Sequence, residues 1–145
     1  MLIMCEMLGN QYFIAENYYE AIRVYKNLIT DKKANTEIQK KLIVSYLKTC
    51  QINSAMMQFL VILNFNRSVT KCDENTDDYC VCREMISEIN DNKLENVIGL
   101  DRDLMLAMLW YFCDSEQSEK YFKRATILAP DDGHLKKINE TIFNN

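Results

Sequence analysis

Apolar residues recur along most of the chain at spacings of three and four, the period of a helix with one face turned inward. No segment alternates residue by residue as a half-buried strand would. The pattern predicts helices at about 2–15, 18–31, 36–50, 53–65, 79–91, 102–113, 116–128 and 132–143. For the last of these, Asp131 or Asp132 supplies the N-cap, and Leu135, Ile138 and Ile142 share one face. Residues 67–78 (RSVTKCDENTDD) are polar, acidic and aperiodic, which predicts an exposed loop. Three Gly and one Pro in 145 residues leave little from which to build hairpins or phosphate-cradling turns, so the fold class expected is all-α.

The helical pattern also repeats with a period of 34 residues. Leu8 pairs with Leu42, Tyr12 with Tyr46, Tyr18 with Ile52, Ala21 with Ala55, Tyr25 with Phe59 and Leu28 with Ile62. In each copy the first two positions lie one turn apart on one helix, and the last three share a face of the next, so each copy reads as a helical hairpin. A small Ala21 or Ala55 lets a neighbouring helix approach closely.

Leu8, Gly9 and Tyr12, followed by Tyr18, Ala21, Tyr25 and Leu28, resemble the tetratricopeptide repeat (TPR). The second copy has Ile43 where that pattern has a small residue, and Cys5 and Gln39 replace its usual tryptophan. Phe122, Ala125 and Pro130 resemble the end of a further repeat. The resemblance implies one TPR-like domain over 1–145: a right-handed superhelical array of antiparallel helix pairs, or α-solenoid, with a C-terminal capping helix. Its parts are repeats at 2–35, 36–69 and 101–131, the acidic loop 67–78, a degenerate helical region 79–100 and the cap 132–143.

Such an array implies a concave groove lined by the first helix of each repeat, suited to an extended peptide or a helix. With Leu8 and Tyr12 taken as core, the opposite face carries Glu6, Asn10 and Phe13, whose equivalents are Lys40, Val44 and Leu47. Phe13 and Leu47 then read as apolar anchors and Asn10 and Lys40 as polar contacts. The competing reading packs Phe13, Val44 and Leu47 on the next hairpin. Lys41 and Lys48 extend a basic set, Arg23, Lys26, Lys32, Lys33, Lys40, Lys41 and Lys48, that reads either as solvated surface or as a patch for an acidic partner. Some TPR co-chaperones grip a terminal carboxylate with Lys, Asn and Arg. Asn10 fits that set, but Glu6 stands in place of a lysine, Lys41 in place of an asparagine, and Leu100 and Leu104 in place of Lys and Arg.

Composition narrows the chemistry. A net charge of −4 argues against nucleic acid as a partner, and no apolar run is long enough to span a bilayer. Without a basic leader at MLIMCEMLGN, the chain reads as intracellular, cytoplasmic or nuclear. Reduced thiols are expected, because Cys5, Cys50, Cys82 and Cys113 fall within apolar or helical patterns. One histidine, no phosphate loop, no nucleophile elbow and no HExxH stretch predict no catalysis and no cofactor. The reading that follows is a non-enzymatic adaptor or scaffold that binds a protein partner. The alternative is a homo-oligomerisation module of a large assembly, such as a ubiquitin-ligase scaffold subunit.

Overall fold

The computed structural model describes residues 2–29, 36–65, 80–94 and 97–143, and among these it is all-helical, with no strand. The helices are α1 (Leu2–Ile14), α2 (Tyr18–Ile29), α3 (Thr36–Lys48), α4 (Ile52–Phe65), α5 (Val81–Asn90), α6 (Gly99–Tyr111), α7 (Ser115–Leu128) and α8 (Gly133–Phe143). All eight expected helices are present, with ends within three residues of expectation. The acidic segment 67–78, Lys32, Lys33 and Cys72 lie outside the described residues. No described helix is long and apolar enough to cross a membrane.

The 34-residue period is written in the backbone as well. Helix α1 ends with Asn17 N–H donating to Tyr12 C=O (2.8 Å) and Glu16 N–H to Phe13 C=O (3.1 Å). At the end of α3, Gln51 donates to Tyr46 (2.8 Å) and Cys50 to Leu47 (3.1 Å), the same pair of bonds 34 residues on. Each end turns through a left-handed residue, Glu16 (φ 60°) or Cys50 (φ 58°), which closes a Schellman cap without glycine. The next helix then starts alike, Ala21 N–H donating to Asn17 and Ala55 N–H to Gln51, both at 3.0 Å.

The chain divides into two compact units, Met1–Gln58 and Phe59–Asn145. In the first, α1 packs on α2 and α2 on α3, with a smaller contact between α1 and α3. Helix α2 is amphipathic and buries Ala21, Ile22, Val24, Tyr25 and Leu28. Gly9 makes the α1–α2 approach possible: a Cβ there would stand 2.7 Å from Tyr25 Cε1 and 3.2 Å from Val24 Cγ1. The α1 core therefore centres on Gly9 and Phe13, which corrects the expected face. Leu8 is 40% exposed and Tyr12 only half-buried.

The second unit packs α5 on α6, α6 on α7 and α7 on α8. Phe59 is fully buried, its ring centroid 5.1 Å from Tyr111, 6.2 Å from Phe112 and 5.8 Å from Phe122. Ser118 Oγ donates to Ala107 C=O (2.7 Å), satisfying a buried hydroxyl across the α6–α7 contact. Asp114 caps α7 by accepting from Glu116 and Gln117 N–H, and Asp132 caps α8 by accepting from Leu135 N–H at 2.9 Å.

Cysteine chemistry needs one correction. Cys5, Cys50, Cys82 and Cys113 carry free thiols, but Cys80 is disulfide-bonded. The apolar pattern that argues for reduced thiols covers those four positions and not Cys80, which stands at the N-cap of α5 beside the polar segment.

Candidate functional site

Three neighbouring helices of the first unit bring polar groups together around one carboxamide. Asn10 Oδ1, on α1, accepts from the Tyr25 hydroxyl of α2 at 2.7 Å and from Lys41 Nζ of α3 at 3.2 Å. Two donors on one oxygen fix the plane of the amide, so its nitrogen is presented in a defined direction. Asn10 makes no other hydrogen bond among the described residues. Lys41 Nζ also lies 6.0 Å from the centre of the Phe13 ring, within cation–π range. Phe13 meets Tyr18 edge to face at 5.6 Å, and Lys48 Nζ stands 5.9 Å over Tyr18.

Burial raises the Tyr25 hydroxyl above the ordinary tyrosine pKa, and the nearby Glu6 carboxylate adds to the rise. A protonated Tyr25 is the form that donates to Asn10, so burial and hydrogen bonding favour the same state. Glu6 itself is half-buried.

Of the expected groove residues, Asn10, Phe13 and Lys41 are thus drawn together, and Lys48 joins them through Tyr18. Phe13, Val44 and Leu47 are buried, however, and are not accessible anchors. The reason lies in α3, where Leu42, Ile43, Val44, Ser45, Tyr46 and Leu47 are all buried, so this helix is enclosed on nearly every side and has no broad open face to offer. Lys40 is likewise 3% exposed rather than solvated, with Nζ 3.4 Å from Glu37 Oε1. Its long aliphatic stem makes such burial tolerable while the ammonium finds a carboxylate.

Tyr25 is the member that spacing alone does not find, because it reads as a core ring. The signal for it is chemical: a buried tyrosine, unlike the phenylalanine at the equivalent position 59, carries a hydroxyl that needs a partner.

A second feature of the same unit lies on the far side of α1. Met7, Leu8, Gln11 and Ile14 are exposed there, and a cleft of about 380 Å³ is lined by Cys5, Met7, Leu8 and Gln11. Compared with protein-family models, with curated proteins and with solved structures, the chain matches none. Among the described residues no three His, Cys, Asp or Glu side chains are gathered as a metal site.

Proposed function

We propose that the chain is a non-enzymatic, TPR-like protein-interaction module, an adaptor or scaffold that holds an extended, acidic segment of a partner protein beside Asn10 and Lys41. The observation that carries this reading is the Asn10 carboxamide. Its oxygen is doubly held by Tyr25 and Lys41, which leaves the amide N–H groups as oriented donors for a backbone carbonyl of an incoming chain. Such preorganisation lowers the entropy lost on binding. The Lys41 ammonium beside it adds attraction for a carboxylate.

The 34-residue spacing of Ala21 with Ala55 and the matched caps at Glu16 and Cys50 support a TPR-like pairing of helices. The test is a panel of acidic peptides with randomised apolar positions, displayed on phage and selected on the full-length chain. Peptides that lose binding to Lys41→Glu and to Asn10→Asp, which keeps an oxygen to accept from Tyr25 and Lys41 but lacks the amide N–H groups, while both variants stay folded by circular dichroism, support the reading. A selection that yields no peptide, or peptides indifferent to both substitutions, contradicts it.

A further inference from the structure

The charged groups around Asn10 differ in sign, and the helix sets their order along α1. We infer, resting on the Asn10 reading above, that the partner segment held there carries a lysine or arginine two residues from an aspartate or glutamate, the base facing Glu6 and the acid facing Lys41.

Helical spacing puts Glu6, Asn10 and Phe13 on one face of α1, at i, i+4 and i+7. Asn10 lies about 6 Å along the axis from Glu6, and Phe13 about 4.5 Å further. Glu6 is half-buried, and its carboxylate is close enough to the Tyr25 hydroxyl, itself 2.7 Å from Asn10 Oδ1, to oppose loss of the phenolic proton. Lys41 Nζ sits towards the other end, 3.2 Å from Asn10 Oδ1 and 6.0 Å from the centre of the Phe13 ring. Past Phe13 the sign stays positive, because Tyr18 packs on that ring and Lys48 Nζ stands 5.9 Å over Tyr18. One face of α1 therefore runs from negative at Glu6 to positive beyond Asn10.

The charges on neighbouring elements leave this gradient in place. Glu20 and Arg23 of α2 offset each other at 2.8 Å, and α2 turns inward only Ala21, Ile22, Val24, Tyr25 and Leu28, so that these two and Lys26 lie outside its buried arc. On α3, Glu37 is held by the buried Lys40 at 3.4 Å. Glu16 is exposed past the end of α1, where water and salt screen it.

The Asn10 amide needs a carbonyl free to accept, which an extended chain offers and the interior of a helix does not. In an extended chain, residues i and i+2 point the same way and lie about 6.6 Å apart, close to the rise from Glu6 to Asn10. A uniformly acidic segment would set a carboxylate against Glu6, and a uniformly basic one an ammonium against Lys41, each repelled at close range.

The test uses the full chain and fluorescent peptides of roughly nine residues in a serine and threonine background, long enough when extended to pass the whole span from Glu6 to Phe13. In the first, Lys and Glu stand two residues apart, made in both orders. The second has the same two residues at opposite ends of the peptide, and the third has Glu in place of Lys. Anisotropy at low salt is expected to show the better order of the first peptide binding about fivefold tighter than the second and third, the upper range for a part-exposed ion pair. Glu6→Gln should remove its advantage over the third peptide, and Lys41→Glu should remove its binding. The first two peptides share one net charge and are compared on the unmodified chain, so that comparison holds even if a variant fails to fold. Equal binding of those two, or an advantage over the third that survives Glu6→Gln, overturns the inference alone, provided binding still depends on Lys41. Peptides that all fail to bind, or that all ignore both Asn10→Asp and Lys41→Glu, overturn the Asn10 reading and this inference with it.

Discussion

Leu8 and Leu42 hold the same place in the 34-residue repeat, yet one is 40% exposed and the other 1%. Their helices begin from similar patterns and end in the same capped turn, so the difference does not arise from local structure. It arises from neighbours. Helix α3 buries six consecutive residues, Leu42 to Leu47, whereas α1 buries Gly9 and Phe13 against its hairpin partner and leaves Met7, Leu8 and Ile14 open. A repeat unit cannot cover both faces of its own first helix, and the first copy displays the face that the second conceals.

The widest gap between the copies is expected in truncations at that shared position. Leu42→Ala should destabilise the chain by about 2–5 kcal/mol, the cost of a cavity in a packed core. Leu8→Ala should cost less than about 1 kcal/mol, because partly exposed side chains lose little on truncation. Paired urea titrations measure both, and equal losses would break the comparison.

Next in size is the exchange at Gly9, whose counterpart is the fully buried Ile43. Alanine is normally better than glycine inside a helix by about 1 kcal/mol. At Gly9 the added methyl meets the Tyr25 ring at 2.7 Å, and that ring is fully buried and tied to Asn10, so it has little room to yield. Gly9→Ala should therefore destabilise by about 1–3 kcal/mol through overpacking, with the sign read directly from the shift of the urea midpoint.

Tyr25 and Phe59 differ by one hydroxyl, and Tyr25→Phe makes the first copy resemble the second. Loss of the bond to Asn10 should cost about 1 kcal/mol at neutral pH. The pH dependence has a definite sign. Burial and then Glu6 raise the Tyr25 hydroxyl in the folded state, so the folded chain holds this proton after the unfolded chain has released it. The contribution is whole below a pH of about 10, the unfolded value, and is lost as pH rises beyond it. Tyr46 and Tyr111, both raised by burial, add slopes of the same sign. Stability measured from pH 8 upward should fall less steeply in Tyr25→Phe than in wild type, about pH 10 and above. An unchanged slope would remove Tyr25 from this role.

The smallest effect is expected where α1 is given the lysines of α3. Met7→Lys and Ile14→Lys, copying Lys41 and Lys48, should each change stability by less than about 0.5 kcal/mol, as exposed substitutions do. A thermal melt shifted well outside that range would show that these side chains are covered.

The same contrast explains how far the sequence can be read. All eight helices are legible in the sequence because the apolar period acts locally, as does the cap of α8, where Asp132 is one of the two residues expected. The repeat was legible because burial acts on side chains of fixed register. The rotation of α1 was not, since a helix with apolar residues on every side carries no phase, and the choice between Leu8 and Gly9 as core is made by the Tyr25 ring of another helix. The sequence leaves Val44 and Leu47 either on an open groove or packed inside, and the burial of α3 on nearly all sides decides for the second. The sequence pairs Asn10 with Lys40 as polar contacts and places Lys41 in the basic set; that Asn10 meets Lys41 instead depends on the approach of α1 and α3, which no local pattern specifies.

The asymmetry between the copies is most directly tested by methyl NMR of the unmodified chain with a soluble paramagnetic relaxation agent, comparing Leu8 with Leu42. The Leu8 methyl signals are expected to broaden strongly while those of Leu42 stay sharp. Equal broadening of the two, or protection of both, would contradict it.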